Sequence, residues 1–164
     1  MPGNRDFHRT SAAVAHSRAM RRVGAAKYVE VSEATTSRMR AVGRRDTSPE
    51  LAVRRALRGS DSRYRINHRP IPSLRRTADL VFTSEHVAVF VDGCFWHGCP
   101  RHVSRPRNNA SLWCDKLART RQRDSETNRV LREHGWSVVR AWSHDDPQLV
   151  AGRVRLAISK ALTD

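Results

Sequence analysis

The segment Val87 to His102, V-A-V-F-V-D-G-C-F-W-H-G-C-P-R-H, constrains this chain more than any other. It opens as an apolar, β-branched run with strand character and ends that run on Asp92 and Gly93. It then sets Cys94, His97, Cys99 and His102 around the adjacent pair Phe95 and Trp96, in what is expected to be a constrained loop. Few folds need that mixture. The segment calls for a strand-end acidic site, a structural metal and an aromatic surface, all within one short stretch.

Cys94, Cys99 and His102 are three soft donors within nine positions, a spacing compatible with tetrahedral zinc. A structural site wants a fourth donor, and His144, Cys114 and His97 are the candidates. His144 is preferred, because it follows a predicted strand and a sheet can carry a strand end to the knuckle, whereas Cys114 falls in a predicted helix. Four protein ligands leave no open position, so this metal is structural. His97 is then left over. A histidine there suits work on a phosphate or a metal-bound water near neutral pH, or else it is a structural residue bonded to backbone.

The chain carries 31 Lys and Arg against 16 Asp and Glu, a net charge of +15, which draws polyanions. An arginine-rich ribosomal protein would have the same charge, so charge points to nucleic acid without choosing a function. Three cysteines fit a metal in a reducing compartment better than a disulfide framework. The sequence has no apolar run of membrane-spanning length and no signal-peptide core, so the expectation is a cytoplasmic, nucleoid-associated protein with no membrane partner.

Residues 1–34 are a basic stretch without sustained periodicity, apart from a short helical pattern around Ala12 to Val23. They are predicted to form a disordered extension, with one domain over 35–164. Thr47 or Ser48 caps a first helix, Pro49 suits its first turn, and Gly59 stops it. Glu50 is either a dipole-stabilising cap or an active-site acid.

Arg63 to His68 reads as an edge strand closed by Pro70 and Pro72. Thr77 to Phe82 and Val87 to Asp92 follow as a hairpin in which Phe82 pairs with Val87 and Asp79 faces Phe90. Asp79 and Asp92 are then diagonal neighbours on one face, roughly 7 to 8 Å apart. They either share a hydrated divalent cation or pair with Arg75, Arg76 or Arg101.

A long helix ending at Gly135 carries Leu112, Trp113 and Leu117 beside Lys116, Arg119, Arg121 and Arg123. Trp113 is either core or a ring offered to bases. Trp136 to Trp142 is a further strand, making a strand-helix-strand crossover, and Asp146-Pro147 caps a last helix.

Read in context, F-V-D-G-C-F-W-H-G-C-P-R-H resembles the very short patch repair (Vsr) DNA mismatch endonuclease family. M-R-A-V-G-R-R-D-T-S-P-E-L, R-R-T-A-D-L-V-F, L-W-C-D-K-L and G-W-S-V-V-R-A-W-S-H extend the likeness from about Thr35 to about His144. The resemblance implies an α/β, restriction-endonuclease-like mixed central sheet flanked by helices, with structural Zn2+ and catalytic Mg2+. It implies double-stranded DNA with a T·G mismatch as substrate, the thymine arising from 5-methylcytosine, and a nick 5′ of that thymine.

By the same resemblance Asp79 is the metal-binding aspartate, and Val91 is the residue whose carbonyl faces the Mg2+. His97 activates water, and Glu50 helps hold the hydrated metal. Cys94, Cys99, His102 and His144 are the zinc ligands. Phe95, Trp96 and Trp113 are rings wedged beside the mismatch, Met39 is an inserted methionine and Lys116 a base-contacting lysine. Asp92 stands where some relatives carry a second active-site histidine, so it positions water or binds metal directly. Thr120 replaces a common asparagine.

A monomer suffices for a nick at an asymmetric mismatch, while repair proteins and a methyltransferase stay open as partners. Two other readings compete: a restriction-type endonuclease with no need of a mismatch, and a zinc-stapled DNA-binding protein that cuts nothing.

Overall fold

The structure, a computed structural model, describes residues 33, 37, 45–102 and 109–163. Met39 and the predicted helical pattern at 12–23 lie outside them, as does nearly all of the expected extension. The elements are α1 (Ser48–Ala56), β1 (Arg65–His68), β2 (Ala78–Phe82), β3 (Val87–Asp92), α2 (Cys94–His97), α3 (Ala110–Glu133), β4 (Ser137–Trp142) and α4 (Pro147–Ala161).

The four strands form one mixed sheet in the order β1-β2-β3-β4. β1 and β2 pair antiparallel, as do β2 and β3, where Phe82 faces Val87 as the four-residue connection predicts. β3 and β4 run parallel, from Val87 beside Ser137 to Asp92 beside Trp142. This register fixes where function can sit. The start of β2, the end of β3 and the end of β4 all arrive at one end of the sheet, bringing Asp79, Asp92 and the residues after Trp142 together.

Both faces of the sheet are covered, which is why β2 and β3 read as nearly continuous apolar runs. On one face Leu80, Phe82, Val87, Val89, Val139 and Ala141 pack against Val53 of α1 and against Val150, Ala151, Val154 and Ile158 of α4. On the other, Val81, Ala88 and Phe90 pack with Leu131 of α3 and Trp136. The Asp146 side chain accepts the Gln148 N–H and so starts α4. Among the described residues no helix is long and apolar enough to cross a membrane.

Two local details differ from the sequence expectation. The segment Cys94 to His97, expected as a loop, is a turn of helix: Gly93 enters it extended and Gly98 leaves it left-handed at φ 68°. At α1 the Thr47 side chain caps no backbone group. Glu50 does the work instead, accepting the Asp46 N–H at 3.0 Å and the Thr47 hydroxyl at 2.7 Å.

Candidate active site and metal centre

Cys94, Cys99, His102 and His144 converge, their ligating atoms all within 4.8 Å of one another. Cys94 Sγ lies 3.0 Å from His144 Nδ1, and Cys99 Sγ lies 3.6 Å from His102 Nδ1 and 3.8 Å from His144 Nδ1. Tetrahedral zinc with bonds of about 2.0 to 2.3 Å sets donors roughly 3.4 to 3.8 Å apart. The two Cys99 separations fall in that range, and the Cys94–His144 pair would open by about half an ångström. Two thiols with two imidazoles are the chemistry the ion takes. The Ser143 hydroxyl donates to Cys94 Sγ at 3.2 Å and accepts the Cys94 N–H at 3.3 Å, orienting the sulfur. Cys114 is exposed on α3 and is not part of the set.

Between Cys94 and Cys99 the helical turn carries Phe95, Trp96 and His97. Phe95 stacks on Trp113 of α3 with centroids 4.2 Å apart and meets Trp96 edge-on at 5.1 Å. Trp96 and Trp113 are 5.7 Å apart, and Lys116 Nζ sits 4.8 Å from the Trp96 centroid. All three rings are only half-buried, so Trp113 belongs to a ring surface at the α2–α3 junction rather than to the core.

Gly98 makes that junction possible. A Cβ there would lie 2.8 Å from Leu117 Cδ1, and the backbone is left-handed. Gly98→Ala is therefore expected to destabilise the protein by roughly 1 to 3 kcal/mol. A urea midpoint equal to that of the unsubstituted protein would show that the junction yields freely.

Asp79 is partly buried at the start of β2, where its carboxylate accepts the Val91 N–H at 2.6 Å. Burial pushes its pKa up to about 6; the Val91 bond opposes this, while the nearby Glu50 and Asp92 carboxylates add to it. Glu50 is itself buried. Buried acids crowded enough to repel one another form a donor set suited to a divalent cation, and Mg2+ takes such oxygen ligands.

Asp92, expected to share a cation with Asp79 or to pair with Arg75, Arg76 or Arg101, is held instead by Arg140. Both its oxygens accept from Arg140, Oδ2 from Nε and Oδ1 from an Nη, each at 2.7 Å. His97 Nδ1 donates to Asp124 Oδ2 at 2.7 Å and lies 3.3 Å from Asp92 Oδ1. With Nδ1–H committed to a carboxylate, the ring's lone pair falls on Nε2. Burial would raise the Asp124 carboxyl, but the His97 hydrogen bond and Arg140 outweigh it and hold it below its usual value. Asp92, His97, Asp124, Arg121, Asn128 and Arg140 line one cleft of about 500 Å³.

Asp124 and Arg140 were not singled out in the sequence. Asp124 had a signal: Leu117, Thr120, Asp124, Thr127 and Leu131 recur at helical spacing along the half-buried and buried face of α3, and an acid on such a face needs a partner.

The class is then defined. Acids gathered at one end of the sheet, a carboxylate-held histidine and a ring surface, on a chain of charge +15, make the layout of an α/β nuclease. The particular family follows from comparison with known proteins. A family model described as DNA mismatch endonuclease Vsr matches residues 30–102. The type II nicking enzyme V.NaeI of Lentzea aerocolonigenes is 43% identical over 112 residues, covering 67% of this chain and 68% of that protein. V.XorIIP, a type II nicking enzyme of Xanthomonas oryzae pv. oryzae, is 34% identical over 119 residues, 72% of this chain and 85% of that protein. The DNA mismatch endonuclease Vsr of Escherichia coli is 30% identical over 112 residues, 67% of this chain and 70% of that protein. The chain belongs to the Vsr family.

Proposed function

We propose that this protein is a Mg2+-dependent DNA endonuclease that nicks the thymine strand 5′ of a T·G mismatch. Family membership supports the endonuclease, since the relatives carry the names of nicking enzymes and of a mismatch endonuclease. The observation that carries the catalytic reading is the partly buried Asp79 carboxylate, held near pKa 6 with Glu50 and Asp92 near it, while His97 stands beside Asp92.

In this reading Asp79 and the Val91 carbonyl would hold the metal, and Glu50 would help to hold its water. Bound Mg2+ supplies positive charge for the phosphate and a more acidic water. His97 takes a proton from the attacking water on Nε2, with Asp124 fixing the ring through Nδ1. Asp92 contributes through its contacts with His97 and Arg140. Phe95, Trp96 and Trp113 wedge between base steps beside the mispair, where unstacking costs least, and Met39 and Lys116 add base contacts. Zn2+ on Cys94, Cys99, His102 and His144 staples the helical turn to the end of β4. The domain runs from about residue 35, acts as a monomer and works on cytoplasmic, nucleoid DNA.

End-labelled duplexes differing only in T·G, T·A or C·G at one position test the whole reading. Cutting confined to the thymine strand of T·G and requiring Mg2+ is the expected result. Equal cutting of all three would mean a restriction-type nuclease, and tight T·G binding without cutting would mean a recognition protein.

A further inference from the structure

Asp92, His97 and Asp124 bring their ligating atoms within 4.8 Å of one another, a trio that by residue type alone would suit a second metal. Arg140 already occupies the cation's place. Its Nε and one Nη each donate to Asp92 at 2.7 Å, and that Nη also reaches Asp124 Oδ1 at 3.2 Å. The other Nη donates to Asn128 Oδ1 at 3.2 Å and to the Asp124 carbonyl at 3.3 Å. A guanidinium has five N–H groups, and these five contacts use them all. Its plane lies over Phe90, with Cζ 4.9 Å from the ring centroid, and Arg153 holds the Arg140 carbonyl at 2.7 Å on the outer edge of β4.

We infer that Arg140 is a positioning residue, the internal counter-cation that locks Asp92 and Asp124 around His97 and thereby aims His97 Nε2. This rests on the reading of His97 as the active-site histidine.

The physical argument has two parts. Two carboxylates flanking one imidazole repel each other unless a cation stands between them, and without one at least one would turn toward water. Only a planar fork can donate to both carboxylates, the Asn128 amide and a helix carbonyl at once, so a lysine would keep the charge and lose the geometry. Because Asp92 is bound by a two-pronged ion pair, it acts through Arg140 and His97 rather than as a direct metal ligand. Through Asp124 and Asn128 the same guanidinium joins β4 to α3, two elements that no short-range sequence pattern would align.

The test is a double-mutant cycle between Arg140→Lys and His97→Ala, read by single-turnover nicking of the T·G duplex, by duplex affinity and by thermal midpoint. Arg140→Lys is chosen over Arg140→Met because it leaves no uncompensated buried carboxylates and is expected to fold. The expected result is a 10-fold to 100-fold lower rate at saturating duplex with affinity within twofold, and no further loss when added to His97→Ala. The downfield His97 Nδ1 proton resonance of the metal-free protein, identified by its absence in His97→Ala, should be lost or shifted in Arg140→Lys.

An Arg140→Lys variant with the unsubstituted rate and resonance would overturn the inference alone. So would an equal proportional loss in the His97→Ala background. Unimpaired nicking by His97→Ala would overturn the reading of His97 and, with it, the role of Arg140.

Discussion

Asp79→Asn is expected to abolish nicking, by roughly 1,000-fold or more, while making the metal-free protein more stable above pH 6. The two effects share one cause. Asp79 is held at about pKa 6 in the folded chain against 3.8 for an ordinary aspartate, so folding favours its protonated form. Its contribution to stability is fully present below about pH 4 and is lost as pH rises through about 6. The gap corresponds to roughly 2 to 3 kcal/mol at neutral pH. Asparagine keeps an oxygen to accept the Val91 N–H and removes the charge that burial, Glu50 and Asp92 penalise. A thermal midpoint several degrees higher than that of the unsubstituted protein at pH 8 in EDTA is therefore expected, with no gain at pH 4. A variant less stable at both pH values would mean that Asp79 is not strained. By the same linkage Mg2+ affinity should fall toward tenfold per pH unit below about pH 6 and level off above it, measurable by calorimetry.

The second large effect concerns the Cys94, Cys99, His102 and His144 set. Cys99→Ser, or treatment with a strong zinc chelator, is expected to remove one equivalent of zinc by atomic absorption, unfold the α2 turn and abolish both duplex binding and nicking. Zinc sites of this kind contribute about 10 kcal/mol or more in small zinc-dependent folds. A domain's whole stability is only on the order of 5–15 kcal/mol. None of the residues in the turn holding Phe95, Trp96 and His97 is buried. Besides the Phe95 stack on Trp113 and the His97 bond to Asp124, it is tied to the end of β4 through Cys94, Ser143 and His144. Tryptophan emission from Trp96 and Trp113 should shift as the ring stack with Phe95 opens. Cys114→Ser, on the exposed side of α3, should change none of these readings. Full activity in zinc-free Cys99→Ser would leave the set as an ordinary thiol and imidazole cluster.

The sequence itself determined what depends on neighbours along the chain. The apolar runs set β2 and β3, the four residues between Phe82 and Val87 set their register, and Asp146-Pro147 set the start of α4. The zinc candidates were legible for the same reason, three of them lying within nine positions. His144 was reachable by one further step, that a parallel crossover delivers a strand end beside its partner's.

The pairings that complete the site were not legible. Asp124 lies 27 residues from His97 and Arg140 lies 48 from Asp92. Helical spacing puts Asp124 on the inward face of α3 but names no partner for it, and nothing local distinguishes Arg140 from the chain's many other arginines. Their meeting depends on the phase of α3 over the sheet and on the in-register pairing of β3 with β4, which puts Phe90 opposite Arg140. Glu50 shows the same division: its place at the third position of α1 read as a cap, but its burial near Asp79 came from packing α1 on the sheet. Spacing along the chain specifies elements and knuckles, because their energies are local. Which charge meets which is decided only when separate elements pack, because that is when the charges leave water and must find partners.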